Sequence, residues 1–315
     1  MVTRVATFSN QQQLISQLMV NQSRLDATQQ QVSTGKRSPD YQGLGADAEA
    51  LLSAKSSLAT TEQYLSDAKR MQNVTDQHAS AIEQQRKVGN DLLSDLNSAT
   101  IGRTGTDVMT AVNSALSATI RTLNSTVDGK YIFGGTRTDQ PPVKISTSAQ
   151  LQSLGSLSAA FQNSSTKLSV QIDQGQTITY GELADQVGTQ YLQVLKNIYD
   201  YNSGTYTGPG APGTPLTGTL SQAQVDFLKT QINQLQTINS NMIDRSVVAG
   251  TAQKQVDAVV SRLQSQQTAT KALVSDLEDV DSAAAISNLN RDQLALQMTY
   301  KVTSQINSKT LLDFL

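Results

Sequence analysis

The sequence predicts a mainly α protein with an inserted α+β domain: an elongated helical coiled-coil rod with a further helix at each end. Three observations predict it. Apolar residues recur every seven positions along two long stretches, all six prolines fall in three places, and amphipathic helices run at both ends, the last one out to the final residue.

At the N-terminal end, Leu14, Leu18, Leu25 and Val32 form one apolar stripe between Asn10 and Ser33. The tail carries Ile286, Leu289, Leu296 and Ile306, and then Leu311, Leu312, Asp313, Phe314 and Leu315. Chain ends are normally polar and frayed. A single narrow stripe per helix leaves apolar surface in need of cover, so these positions are expected to pack on each other and on further copies of the chain.

The prolines are Pro39, the pair Pro141 and Pro142, and the group Pro209, Pro212 and Pro215. Proline removes a helix hydrogen bond and clashes with the preceding turn, so the stretches between Pro39 and Pro141 and beyond Pro215 are free to be helical. Between Tyr131 and Tyr206 the aromatic residues concentrate, and the alternating runs Lys167 to Ile172 and Gln176 to Tyr180 read as strands. These observations predict an arm helix at 1–38, a first rod segment at 39–136, an inserted strand-containing outer domain at 137–218, a second rod segment at 219–282 and a second arm helix at 283–315.

The rod segments carry the heptads. Leu51, Leu58, Leu65, Gln72, Ala79, Arg86 and Leu93 recur every seven residues, flanked by Ala54, Thr61, Ala68, Thr75, Ile82, Gly89 and Leu96. After the insert, Leu228, Leu235, Met242, Ala249, Val256, Leu263, Thr270 and Leu277 do the same. A repeat of this period keeps one seam against a partner helix. Gly102 to Gly105 reads as a turn between antiparallel helices, and a third helix is expected through Val108, Val112, Leu116, Ile120, Leu123 and Val127, ending at Gly129. The arms are set off by short breaks. Gly35 is placed as a C-cap with Pro39 blocking continuation, and Glu278 to Ser282 offers an acidic cap to the last helix.

Composition excludes several functions. Hydrophobic residues are 37% and charged residues 16%, below the roughly 45–50% and 25% of average globular domains. A net charge of −2 provides no field for phosphate backbones, and the scattered Lys and Arg form no patch for nucleic acid or membrane. The chain has no cysteine and one histidine, which removes most nucleophile and metal arrangements. His78 is expected at a solvated helix position. Gly35-Lys36 lacks the upstream glycine of a phosphate loop, and Gly208-Pro209-Gly210 has linker composition. Asp173, Glu182 and Asp185 are carboxylates without a partner acid, expected on a solvated face. No catalytic site, cofactor or metal is expected, and no segment resembles a cleaved secretion signal or a membrane span.

These features resemble the flagellin family. The residues resemble in particular the hook-associated proteins of the bacterial flagellar hook-filament junction: Leu25 through Ser33-Thr34-Gly35-Lys36-Arg37, Asp128-Gly129-Lys130-Tyr131-Ile132-Phe133-Gly134-Gly135-Thr136 with Asp139 to Pro142, Val170 to Gln176, and Lys309 to Leu315. The resemblance implies a structural adaptor joining the hook, through another hook-associated protein, to the flagellin filament. It implies a ring of identical subunits built through the terminal helices, an export chaperone before secretion, export without a cleaved signal, and an extracellular location on the flagellum. Arms disordered in the monomer and folded against each other in the tube are also implied. A minor flagellin is the alternative, disfavoured by Gly35-Lys36-Arg37-Ser38 and by the Asp313-Phe314-Leu315 ending. A free coiled-coil interaction protein and a hydrolase carried by the insert are the competing classes; the first supplies no reason for an apolar tail and the second would need a pocket.

Overall fold

The computed structural model describes residues 2–173 and 175–312, with side chains described for 12–172, 175 and 177–305. Contacts divide the chain into two compact units, one of residues 63–264 and the other of the segments flanking it.

The unit of residues 63–264 is built on α2 (Asp47–Gly102) and α6 (Gln222–Glu278). Neither contains proline, so both run unbroken. Here they are antiparallel: Gln72 donates to Asp257 at 2.6 Å, Gln253 to Asp76 at 2.7 Å and Asn239 to Asn90 at 2.9 Å. Each step forward along α2 is matched by an equal step back along α6. On α6, Leu228, Leu235, Met242, Val256 and Leu263 of the heptad column are buried and Ala249 is half-buried. On α2 the flanking column Ala68, Thr75, Ile82, Gly89 and Leu96 is buried throughout. Its companion column shifts by one residue: after Leu65 the buried positions are Met71, His78, Gln85, Leu92 and Ala99, while Leu93 is half-buried. Beyond Leu65 the helix meets further helices as well as α6, and its contact face turns toward them.

Those helices are α3 (Val108–Leu123) and α5 (Ala184–Ser203), which pack on one another. The turn from α2 to α3 is at Gly102 to Gly105, and it also pins the start of α6. Gly105 N–H donates to Gly218 O at 2.7 Å, and Leu220 N–H donates to Arg103 O at 2.8 Å. α3 stops at Leu123 rather than at Gly129. The Asn124 side chain donates to Val143 O at 3.0 Å and accepts from Val143 N–H at 2.9 Å, and the chain turns into a short hairpin, β1 (Thr126–Val127) and β2 (Lys130–Tyr131). Asp128 and Gly129, with φ of 51° and 74°, make the turn with both central residues left-handed that hairpins favour. Val127 therefore belongs to a strand.

Segment 137–218 contains the short helix α4 (Ser148–Ser153) and the antiparallel hairpin of β3 (Leu168–Asp173) and β4 (Gln176–Tyr180), paired from Leu168↔Tyr180 to Asp173↔Gln176. It also holds α5, whose Val187, Tyr191, Leu192, Leu195 and Ile198 enter the same buried cluster as Leu92 and Leu96 of α2, Leu116 of α3 and Leu228 of α6. The hairpin has a smaller cluster of its own, where Ile172 meets Leu65, Met71, Val256 and Leu263. In the Gly-Pro stretch Pro209 to Pro212 are exposed, while Gly213 and Leu216 are buried; Tyr201 of α5 stacks on Phe227 of α6 at 3.8 Å between ring centroids.

The expectation of a solvated His78 is overturned. The residue is 3% exposed, its imidazole edge-on to Phe133 with centroids 4.6 Å apart. Apolar burial disfavours the proton, and its pKa is lowered to about 4 by that burial first and by Lys167 in addition.

Polar groups are also aligned inside the helical core. The Tyr191 hydroxyl donates to Asn239 Oδ1, whose amide continues to Asn90; Gln85 donates to Thr119 at 3.0 Å and Asn197 to Gln231 at 3.2 Å. Burial pushes the Tyr191 phenol up, so it keeps the proton it donates. Gly89 makes this network possible, since a Cβ there would collide with the Tyr191 hydroxyl and with Asn239 Oδ1. Gly89→Ala is expected to lower stability by about 1–3 kcal/mol through overpacking. Adding Tyr191→Phe should restore part of that loss, as read by denaturant unfolding of the two variants; equal stability of G89A and the parent chain would contradict it.

Candidate assembly interface

The second unit brings the two arms together. α1 (Val2–Thr34) and α7 (Ser282–Leu312) pack on one another. Their antiparallel sense is set at one end by the Lys36↔Asp279 bridge and further along by Asn21, which donates to Thr299 at 2.8 Å. α2 and α6 are paired here too: Gln267 donates to Glu62 at 3.0 Å, Lys271 lies 3.1 Å from Glu62 and Lys55 lies 2.9 Å from Glu278.

Both expected caps are present. Gly35, at φ +71°, donates its N–H to Gln31 O at 2.9 Å and ends α1 in the left-handed conformation that glycine adopts without a Cβ penalty. The Asp281 carboxylate accepts from Ala283 and Ala284 N–H at 2.9 and 3.1 Å, satisfying two free donors of the first turn of α7. The two breaks also close on each other, which periodicity does not reveal. Val280 N–H donates to Gly35 O at 2.9 Å and Arg37 N–H donates to Glu278 O at 2.7 Å. Around this clasp Lys36 lies 2.8 Å from Asp279 and 3.5 Å from Glu278, while Arg37 lies 3.2 Å from Asp47. Charge alternation between Lys36-Arg37 and Glu278-Asp279 is the one signal in the sequence that points to the meeting.

The predicted interface residues fall into three groups. Leu25 and Leu296 are buried within the chain, and Leu14, Leu18 and Leu289 are half-buried. Val32 and Ile286 are exposed, at 37% and 50%. The side chains of Ile306, Leu311, Leu312, Phe314 and Leu315 lie outside the described residues. Of the predicted rod seam, Leu51 is buried in this unit, and Leu58 and Leu277 are half-buried. The stripe reading missed further exposed apolar residues of the two arms: Met19 and Met298 are each 66% exposed, and Ile15, Val20, Leu294, Tyr300 and Val302 are exposed with them. Exposed large apolar side chains gathered on one helix pair are what an interaction surface requires. These residues lie between the stripe positions, so a stripe search places them on the polar side.

The arrangement offers little chemistry. Glu182 is paired with Lys167 at 3.4 Å and Arg245 at 2.9 Å, and Asp185 accepts from Asn163 at 2.9 Å; the Asp173 side chain is outside the described residues. Among the described residues no group of three or more His, Asp or Glu could hold a metal ion, and no helix is long and apolar enough to cross a membrane.

Residues 225–315, nearly all of α6 and the whole of α7, match the family described as the bacterial flagellin C-terminal helical region. The fold is similar to a putative flagellar hook-associated protein from Vibrio parahaemolyticus, with 14% identity, a TM-score of 0.54, and coverage of 73% of this chain and 96% of that one. A second similar structure is FlgL from Bacillus cereus, at 15% identity and a TM-score of 0.47, covering 66% of this chain and 98% of that one. No curated protein matches the chain.

The clasp should be sensitive to acid. Glu278 and Asp279 are held below the usual carboxylate range, chiefly by hydrogen bonds from Lys55 and from Lys36. A carboxyl with a depressed folded pKa stabilises the fold above its unfolded value and loses that contribution as pH falls through the folded value. Exposed pairs contribute about 0–1 kcal/mol each, so the effect is local. Amide protection of Arg37 and Val280 is expected to hold between pH 7 and 5 and to fall below about pH 4, as read by hydrogen exchange corrected for intrinsic rates; unchanged protection at pH 3 would refute it.

Proposed function

We propose that the protein is a structural, non-catalytic hook-associated protein of the bacterial flagellum, linking the hook to the flagellin filament outside the cell. The observation that carries this reading is the arm pair. α7, which lies in the stretch matching the flagellin C-terminal helical region, packs on α1, and the pair leaves large apolar side chains such as Met19 and Met298 exposed. A surface that one chain cannot cover is suited to subunits of an axial tube. Repeated head-to-tail contact between identical subunits generates a ring or helix rather than a closed dimer.

On this reading the partners are further copies of the chain, another hook-associated protein on the hook side, flagellin on the filament side and an export chaperone before secretion. Arms 1–38 and 283–315 form the separate coiled-coil layer of the assembled tube, segments 39–136 and 219–282 form its rod, and segment 137–218 faces outward. Cells lacking the protein should bear hooks without filaments and lose flagellin to the medium, by electron microscopy and immunoblotting. Filaments of normal number and length would refute the reading. A minor flagellin is the second reading, favoured by the flagellin match alone; immunogold labelling along the filament rather than at its base would establish it.

Substitutions separate the two faces of the arms. Met19→Asp and Met298→Asp alter exposed positions, and surface changes usually stay within about 0.5 kcal/mol, so thermal unfolding of the purified chain should be unchanged. Each would place an unpaired charge in the assembled contact, at a cost of about 3–5 kcal/mol, and filaments should be lost. Leu25→Ala and Leu296→Ala should instead weaken the pairing of α1 with α7 in the isolated chain. Normal filaments on the two Asp variants would remove this face from the interface.

A further inference from the structure

His78 is the chain's one histidine, and the proposed assembly makes no use of it. Its buried ring lies against Phe133 on one side. Gly181, the residue following β4, also reaches the ring: its φ is +84° and a Cβ there would come within 2.9 Å of His78 Nε2. The hairpin thus rejoins the helical core directly over the imidazole, and only glycine permits so close an approach. Neither ring nitrogen has a hydrogen-bond partner among the described protein groups. The Ile132 backbone is near enough to favour the proton without completing a bond. A cavity of about 100 Å³ opens beside the ring, bounded by Thr75, Lys167, Glu182 and Val248.

The surroundings offer no counter-ion for an imidazolium. α2 contributes Thr75 and Ile82, and the turn after β2 contributes Phe133, all uncharged. The approach to β3 brings the cation Lys167, and β4 brings Tyr180, neutral because burial raises its phenol. The carboxylate of Glu182 is already shared between Lys167 and Arg245 of α6. A proton on His78 would therefore stand buried without a counter-ion, favoured by the Ile132 backbone but opposed by the larger effect of burial.

We propose that His78 is an acid-sensitive latch: neutral, it seats the β3–β4 hairpin on α2 and α6 through Gly181; protonated, it draws water into the cavity and releases the hairpin while the α3–α5 core stays closed. The separation follows from packing, because Ile172 anchors the hairpin in its own cluster, apart from the cluster that contains Leu192 and Leu195. Burial favours the neutral ring in the fold, so the contribution is complete above the ordinary histidine value and is lost as pH falls toward the depressed one. This inference does not depend on the flagellar reading.

A single histidine gives a single imidazole signal, so the full chain labelled with ¹³C at histidine and at Ile, Leu and Val methyls tests the latch directly by NMR between pH 7 and 3.5. The expected result is an imidazole midpoint at about 4, against the ordinary value of 6.5. The methyl signals of Val170, Ile172 and Ile178 should leave their native positions over the same range while those of Leu192 and Leu195 stay. In His78→Phe the hairpin methyls should remain native to pH 4. An imidazole midpoint near 6.5, simultaneous loss of hairpin and core signals, or hairpin release at the same pH in His78→Phe would each overturn the proposal. The wild-type measurement decides the matter even if the variant fails to fold.

Discussion

The contact of Tyr191 with Asn239 and Asn90, made where Gly89 leaves room for it, sets the register in which α6 returns along α2. Apolar seams specify that two helices pair but discriminate weakly between neighbouring registers. A buried donor displaced from its acceptor loses its hydrogen bond without regaining water, so a polar cluster penalises every slip. With that register in place, Gln72 meets Asp257 and Asp76 meets Gln253. The ends of the two helices are drawn together in turn by the backbone bonds between Arg103 to Gly105 and Gly218 to Leu220. α3 and α5 then fill the same core.

The arm unit works on a different balance. Its backbone clasp is small, and the charges around it are largely solvated, so each ion pair contributes little by itself. Its value is geometric. Two hydrogen bonds between Gly35 to Arg37 and Glu278 to Val280 bring the end of α1 to the start of α7, which sets the face each helix offers the other. The inward faces use Leu25 and Leu296. The outward faces carry residues such as Met19 and Met298, whose flexible side chains adapt to irregular partner surfaces. The pair therefore consumes one set of apolar side chains within the chain and leaves another in contact with solvent.

Burial of His78 and the separate anchorage of the hairpin add a local feature to this frame. Most polar atoms of the core are paired, whereas both nitrogens of His78 lack protein partners. An unpaired buried group is tolerated where the surrounding packing is strong enough to hold it. Here it lies where the hairpin rejoins the helical core, not at the centre of either buried cluster.

Much of this architecture was legible in the order of residues. Proline positions marked the helices because proline cannot continue one, the seven-residue repeat marked the α6 column and the flanking column of α2, Gly35 and the acidic stretch 278–282 marked helix ends, and alternation marked β3 and β4. These are local rules that need no knowledge of the partner. What the partner decides could not be read the same way. The end of α3 at Leu123 depends on Asn124 finding the backbone of Val143, nineteen residues on. The one-residue shift of the α2 seam depends on helices arriving from elsewhere in the chain. His78 sits among Thr75, Asp76 and Gln77, a polar neighbourhood in sequence, and is buried only because Phe133 and Gly181 are brought onto its face of the helix. In the arms, the sequence determined that two amphipathic helices exist, while tertiary pairing decided which apolar residues are consumed within the chain and which remain exposed. Burial is a property of what lies across the gap, and that is not encoded within one turn of any helix.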